Sequence, residues 1–310
     1  MSTIRAIVVC PAIEGRLKID YVKSPRPASS EALVRVSAVS LNLGEVRTSM
    51  RAAAGWRPGW DLSGVIEQPA ADGSGPPIGT RVFGMVPSGS WAEFVAVPTS
   101  FLAEISENVT FAQAAALPVA GLTALYALER GGFLLNRNVL VTGASGGVGH
   151  FACQLAHQAG AAVTALVRRE ERAASLRKTG RHNIVVGEDA AAAHSSGPYD
   201  FIVDTLGGKS LSIVSSFLES GGRCVNVGAA TEPEMTLEAR LKSVPDGVLV
   251  LDGIGDRQGV SKDLGRLAQM VAEGRLHPQV AQESSWTEIA EVAQSLLNRR
   301  IAGKAVLSVS

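Results

Sequence analysis

The chain has 310 residues, 46% of them hydrophobic and 19% charged, the profile of an ordinary soluble globular protein. Its 29 basic and 29 acidic residues balance, which argues against a broad nucleic-acid or anionic-membrane surface and leaves room for a local basic pocket. The length predicts two domains. Three scattered cysteines, Cys10, Cys153 and Cys224, with no Cys-x-x-Cys and no Cys/His cluster, suggest neither a disulfide framework nor a sequence-local zinc site.

Residues 1 to about 110 read as β-rich. Strand-like runs fall at Ile4–Val9, Leu33–Val39, Leu62–Glu67, Arg81–Met85 and Trp91–Val97, and Pro/Gly clusters such as Asp72-Gly73-Ser74-Gly75-Pro76-Pro77 separate them. Even spacing of short strands predicts a partly closed barrel. At Thr110 the texture changes. Thr110-Phe111-Ala112-Gln113 fits a capping box, and Pro118 and Gly121 are expected to break the helix it opens before a second helix runs through Arg130. The longest uncharged run, Phe111 to Leu128, is interrupted by the same Pro118 and Gly121, so it reads as two buried helix segments and not as a membrane span. The N-terminus has no signal-peptide pattern, and the expected location is the cytoplasm.

Residues 138–255 alternate strand and helix. Strands are expected at Asn138–Thr142, Ala162–Val167, Asn183–Val186, Phe201–Asp204, Arg223–Val227 and Val248–Leu251. Helices are expected at 150–159, 170–179 and 208–219, each followed by a glycine, Gly160, Gly180 and Gly221. Right-handed crossovers turn this order into an α/β, doubly wound parallel sheet of Rossmann type. An amphipathic helix after Gly259, with Leu264, Leu267, Ala268, Val271 and Ala272 on one face, stops at Gly274. A helix from Trp286 to Asn298 then leads into a last strand at Gly303–Leu307.

Val139-Leu140-Val141-Thr142-Gly143-Ala144-Ser145-Gly146-Gly147-Val148-Gly149 is a buried strand, a glycine turn and the start of a helix, the local order that aims bare N–H groups and a helix N-terminus at a pyrophosphate. Gly146 and Gly149 suit close approach, and Ala144 stands where the first fingerprint glycine usually falls. At the end of the second strand an NAD site places a carboxylate about 20 residues past the glycines. This chain has Arg168-Arg169 there and Arg172 a turn later, which suits a 2′-phosphate and favours NADPH over NADH. Glu170 and Glu171 weigh slightly against that reading.

The Thr-Gly-x-x-x-Gly-x-Gly pattern also occurs in short-chain dehydrogenases. Those need a Tyr-x-x-x-Lys couple, and none of Tyr21, Tyr126 and Tyr199 has a lysine four residues on. The whole layout resembles instead the medium-chain dehydrogenase/reductase superfamily, and within it the zinc-free quinone oxidoreductases. Leu41-Asn42 resembles that family's asparagine before its active-site helix, Pro58-Gly59-Trp60-Asp61-Leu62-Ser63-Gly64-Val65-Ile66-Glu67 its PGxDxxGxVxx segment, and Gly79-Thr80-Arg81-Val82-Phe83-Gly84 its GDRV turn. Gly89-Ser90-Trp91-Ala92-Glu93-Phe94, Leu117-Pro118 with Gly121-Leu122-Thr123-Ala124, Gly221-Gly222-Arg223 and Gly303-Lys304-Ala305-Val306 resemble further landmarks.

The resemblance implies a GroES-like β-barrel catalytic domain, 1–122 with 256–310, around a Rossmann dinucleotide-binding domain, 123–255, with the nicotinamide in the cleft between them. It places Asn42 and Thr123 near the nicotinamide and its ribose, and Ser145, Gly146, Gly147 and Val148 at the pyrophosphate. It also places Val227 and Gly228 at the nicotinamide pocket, with Lys304 reaching the cofactor from the catalytic domain. Plainer readings stay open: Asn42 as a helix cap, Thr123 bonded to its own helix, Lys304 as a solvated end, and Arg47 and Arg51 as exposed charges or as attractors of an anionic acceptor. Trp91 is expected in the core, while Trp56 and Trp60 fit either the core or the substrate cleft. The family's adenine-stacking tyrosine is missing from Asn183-Ile184-Val185-Val186-Gly187. A homodimer through the edge strand Val248–Leu251 is implied as well.

Zinc dehydrogenases of the superfamily have Cys where this chain has Leu43-Gly44-Glu45 and Gly-His-Glu where it has Gly59-Trp60-Asp61, and the four-cysteine lobe is missing, so no metal is expected. The enoyl-thioester reductases' tyrosine acid is replaced by Arg47, Thr48, Arg51 and alanines. The expected activity is NADPH-dependent, zinc-independent hydride transfer to a small quinone or α,β-unsaturated carbonyl. The rivals are an enoyl reductase of a specialised metabolite pathway and a non-catalytic NADPH-binding sensor or structural protein.

Overall fold

A computed structural model describes residues 2–180, 182–228, 230, 248–250, 254 and 258–310. The chain divides into two compact units, Met1–Val119 with Asp256–Ser310, and Ala120–Gly255. No described helix is long and apolar enough to cross a membrane.

The first unit is built on a mixed seven-stranded sheet. Its strands are β3 (Glu31–Leu41), β4 (Asp61–Gln68), β5 (Arg81–Met85), β6 (Phe94–Pro98), β7 (Leu102–Glu104), β14 (Val280–Ser285) and β15 (Lys304–Ser308), in the order β14-β15-β3-β4-β5-β7 with β6 also on β3. The eleven-residue β3 organises it. Residues Glu31 to Arg35 pair with β6 and Ala38 to Leu41 with β15, while β4 takes the opposite edge. The last strand therefore returns to the unit in which the chain began. A hairpin of β1 (Thr3–Val9) and β2 (Leu17–Lys23) joins through the Ala6–Ala92 bridge.

Trp91 and Trp286 are fully buried in this unit's core among Ile7, Leu41, Leu62, Ile66 and Leu102. Trp91 is thus a core residue, its indole N–H reaching the Ser40 carbonyl. Trp56 packs on the same core from a half-buried position. Three strands escape the sequence reading. β2 carries Lys18, Asp20 and Lys23 and alternates too weakly to stand out, β7 has three residues, and β14 is a polar edge strand.

The expected capping box at Thr110 is present, its side chain accepting from Gln113 N–H at the start of α2 (Phe111–Ala115). The expected break at Gly121 is not. The helix α3 (Pro118–Glu129) begins at Pro118 and runs through Gly121. Proline belongs in a first helical turn because no N–H is needed there. The next donor, Val119 N–H, is taken by the Asp61 carboxylate 2.9 Å away. Gly121 lies buried in the helix interior.

The second unit is a parallel sheet of β8 (Asn138–Val141), β9 (Ala162–Val167), β10 (Asn183–Val186), β11 (Tyr199–Asp204), β12 (Leu218–Asn226) and β13 (Val248–Val250). The strand order is β10-β9-β8-β11-β12-β13, all neighbours parallel. Renumbered from its first strand this is 3-2-1-4-5-6, the doubly wound Rossmann order with its switch point between β8 and β11.

The helix α4 (Gly147–Gln158) buries Phe151, Ala152, Leu155 and Ala156 as expected. The other two helices are shorter than expected. The 170–179 segment is a 3-10 turn, Glu170–Arg172, leading into α5 (Ala173–Arg177), and α6 (Gly208–Ser215) stops before 219. Gly160 does sit left-handed after its helix, with φ +84°. Gly221 instead lies inside β12, where its φ of +76° goes with the register shift between Tyr199 and Phe201. Of the expected edge strand, Leu251 lies outside the described residues. Beyond it, α7 (Val260–Ala272) and α8 (Ile289–Leu297) belong to the first unit.

Candidate functional site

In the second unit the turn after β8 is a cradle that a side chain would fill. Gly143 has φ +57°, and a Cβ there would sit 2.3 Å from Thr205 Oγ1. A Cβ on Gly149 would sit 2.4 Å from the Gly143 carbonyl oxygen and 2.8 Å from Ala144 Cα, and one on Gly228 would sit 2.7 Å from Thr205 O. Gly146 is the extended residue before α4, and no side chain caps that helix. The first helical bond is His150 N–H to Gly146 O, so the N–H groups of Gly147, Val148 and Gly149 have no intrahelical acceptor. Ser145, Gly146, Gly147 and Val148 are half-exposed at this end, as an anion site requires. Gly149→Ala is expected to force the turn apart at a cost of about 1–3 kcal/mol and to weaken nucleotide binding, measured by thermal unfolding and nicotinamide fluorescence.

A buried carboxylate braces the cradle. Asp204, at the end of β11, accepts from Thr142 Oγ1 at 2.7 Å, Gly207 N–H at 2.8 Å and Asn226 Nδ2 at 2.6 Å. Thr205 closes the link by donating from its N–H to Thr142 Oγ1 and from its Oγ1 to Thr142 O. Asn226 Nδ2 also reaches Gly228 O, and Val227 N–H donates to Asp204 O. The ends of β8, β11 and β12 are thereby tied at the rim where a doubly wound sheet takes its ligand. Burial pushes the Asp204 carboxyl up, against the hydrogen bonds that lower it. Sequence reading ended a strand at Asp204 without giving it this role. The readable signal is a lone polar residue closing an apolar run, in Phe201-Ile202-Val203-Asp204 and again in Cys224-Val225-Asn226.

Arg168 and Arg169 are exposed just past β9, and Arg172 is half-buried one turn on. Burial, and then the positive charges of Arg168 and Arg169, lower the Arg172 guanidinium, so the three charges stand close together. Of the two acids that counted against a phosphate, Glu170 is paired with Arg177, while the charge of Glu171 acts on Arg172. Thr123 is half-buried on α3, and no described residue bonds its hydroxyl, so the bond to its own helix is not made.

In the first unit a polar network is buried where the sequence placed Asn42 and Lys304. Lys304 is 3% exposed and is not a solvated end. Its Nζ donates to Leu41 O at 3.1 Å, Asn42 Oδ1 at 2.6 Å and Asp61 Oδ2 at 3.2 Å. Asp61 Oδ2 also accepts from Ser40 Oγ and Asn42 Nδ2. Glu45 Oε1 accepts from Asn42 N–H at 2.6 Å and Asn42 Nδ2 at 3.0 Å. Asn42 does precede α1 (Leu43–Ser49) as its cap residue, and its side chain does more than cap. Sequence reading used Asp61 as part of the PGxDxxGxVxx-like segment and, with Glu45, as a missing zinc ligand, without giving either a role in a buried network.

Burial and the Asp61 charge raise Glu45 to about 8, against lowering by Lys304. The folded chain therefore keeps a proton that the unfolded chain, at 4.5, releases. Stability from this group therefore falls as pH rises from about 4.5 toward about 8, to be read from urea unfolding across that range. Arg47 is half-buried on α1, its guanidinium lowered by burial and by Arg299 and Arg51, while Arg51 is exposed.

These residues do not fit a zinc ion. Gly44 carries no side chain, and a Cβ there would meet Trp60 Cη2 at 2.8 Å. Asp61 has both oxygens committed to protein donors. No group of three or more His, Cys, Asp or Glu among the described residues could hold a metal. Trp60 is thus half-buried against α1, in the place of a ligand.

Residues 28–107 match the alcohol dehydrogenase GroES-like domain and residues 147–258 the zinc-binding dehydrogenase domain. The chain belongs to the medium-chain dehydrogenase/reductase superfamily of oxidoreductases, in its quinone oxidoreductase-like branch. It is 30% identical to the mitochondrial NAD(P)H oxidoreductase RTN4IP1 of Bos taurus over 81% of this chain and 70% of that protein. It is 28% identical to the quinone oxidoreductase of Rattus norvegicus over 91% and 90% of the two chains. The solved quinone oxidoreductase from Coxiella burnetii superposes with a TM-score of 0.86 at 25% identity over the full length of both.

Proposed function

We propose that the protein is a zinc-independent, NADPH-dependent reductase of small quinones or α,β-unsaturated carbonyls. The observation that carries the NADPH assignment is the group of Arg168, Arg169 and Arg172 at the end of β9, where a ribose 2′-phosphate would meet guanidinium groups and no free carboxylate from Glu170. Ser145, Gly146, Gly147 and Val148 would hold the pyrophosphate, and Val227 and Gly228 would line the nicotinamide pocket. Asn42 and Thr123 are the nicotinamide-side polar residues, and Lys304 acts there through Asn42. The bound dihydronicotinamide supplies the hydride. The protein contributes orientation and water exclusion, which suffices for an acceptor that is already electrophilic. Trp60 against Gly44 and the saturated Asp61 support a metal-free site. The edge position of β13, with Leu249 45% exposed, supports a homodimer through that strand.

Steady-state NADPH oxidation against a panel of quinones and enones tests this reading. The expected result is turnover with at least one class, preferring NADPH to NADH. Nucleotide binding without turnover of any acceptor would favour the non-catalytic reading.

A further inference from the structure

The Asn42 amide can adopt only one orientation in its surroundings. Its Nδ2 sits between two carboxylate oxygens, Asp61 Oδ2 at 2.8 Å and Glu45 Oε1 at 3.0 Å, and its Oδ1 faces the Lys304 ammonium at 2.6 Å. A flipped amide would set oxygen against both acids and NH2 against the ammonium. Lys304 and Asp61 form a neutral ion pair with almost no exposure. Glu45 is a second, fully buried acid beside that balanced pair. Its Oε1 takes both donors of Asn42, and its Oε2 has no donor from any described residue, so only the two bonds at Oε1 and the Lys304 charge favour ionisation, against full burial and the Asp61 charge.

We propose that Glu45 is a positioning residue of the hydride-transfer site that works as a neutral acid: while it keeps its proton the Asn42 amide stays locked between Lys304 and Asp61, and loss of the proton releases that lock. The inference rests on the proposed reductase reading only in placing Asn42 beside the nicotinamide. An ionised Glu45 would present an unpartnered anionic oxygen in a closed pocket. The charged groups that act on it are Asp61 from β4, which repels, and Lys304 from β15, which attracts. On α8, which packs against α1, Glu291 is exposed. Lys304 is the charged neighbour that Glu45 would attract, and it has the longer, more flexible stem, so its ammonium is the group drawn toward Glu45, away from Asn42 Oδ1 and Asp61 Oδ2. Burial favours the protonated form, with a titration at about 8, so the switch works in the mildly alkaline range.

Two readouts test this in the intact protein. In wild type labelled with 13C and 15N, the Glu45 carboxyl, assigned through its own backbone amide, should be neutral at pH 7. Its alkaline transition should be mirrored by shifts in the resonances of the Asn42 side-chain amide and of Lys304 Nζ. A Glu45 carboxyl ionised at pH 7, or an Asn42 amide that does not move as Glu45 titrates, would overturn the proposal. This arm needs neither turnover nor a variant. In the second arm, wild-type kcat/KM with NADPH should fall about tenfold per pH unit above the Glu45 titration, and Glu45→Gln should lack that limb. An unchanged limb in Glu45→Gln would also overturn it. If no acceptor is turned over, the reductase reading fails while the spectroscopic arm still decides the role of Glu45.

Discussion

Replacing Arg168 with alanine is expected to weaken NADPH binding about 10- to 100-fold and to leave NADH binding nearly unchanged. A charge-assisted hydrogen bond contributes about 1.5–3 kcal/mol, and each 1.4 kcal/mol is a factor of about ten in affinity. Arg168 is exposed past β9, so its removal opens no cavity and should not alter thermal stability. It also relieves one of the two arginine charges that bear on Arg172. The double variant Arg168→Ala, Arg172→Ala should lose the remaining preference for NADPH. Nicotinamide fluorescence titrations with both nucleotides give the two affinities directly. Equal loss for NADH and NADPH would mean that these arginines serve the turn and not the 2′-phosphate.

Lys304→Met is expected to destabilise the first unit by about 3–5 kcal/mol, the cost of leaving a buried carboxylate without its cation. The methionine fills most of the lysine stem but offers nothing to Leu41 O, Asn42 Oδ1 or Asp61 Oδ2, which all lose a donor. Adding Asp61→Asn should recover part of the loss, because the remaining group is then neutral and can still accept from Val119 N–H. Urea unfolding of the single and double variants measures this coupling. A Lys304→Met chain as stable as wild type would show that the ammonium carries no structural load in the network.

The parts of this molecule set by short-range patterns could be read before any coordinates. The apolar run Val139-Leu140-Val141 followed by glycines, the capping box at Thr110 and the repeated strand–helix order all express local preferences, and the resulting sheet follows from right-handed crossovers. The parts set by tertiary partners could not. Gly121 looks like a helix breaker, yet α3 passes through it once the Asp61 carboxylate takes the first-turn donor. Lys304 could be read as reaching a cofactor or as a solvated end, because nothing in Gly303-Lys304-Ala305 announces Asp61, 243 residues away. The network roles of Glu45 and Asp61 were not visible, although Asp61 stands in the PGxDxxGxVxx-like segment, since the hydrogen bonds that give them roles join β3, β4, α1 and β15. Gly143, whose left-handed turn faces Thr205, drew less notice than Gly146 and Gly149 because the close approach comes from another strand.

The most direct test is a single turnover of the metal-analysed protein with NADPH deuterated at the transferable position of the nicotinamide, run with and without a chelator against a quinone and an enone. The account predicts protein without zinc, deuterium delivered to the carbon acceptor of the enone, one NADPH consumed per acceptor reduced, and a rate indifferent to the chelator. Turnover abolished by the chelator and restored by zinc would contradict it.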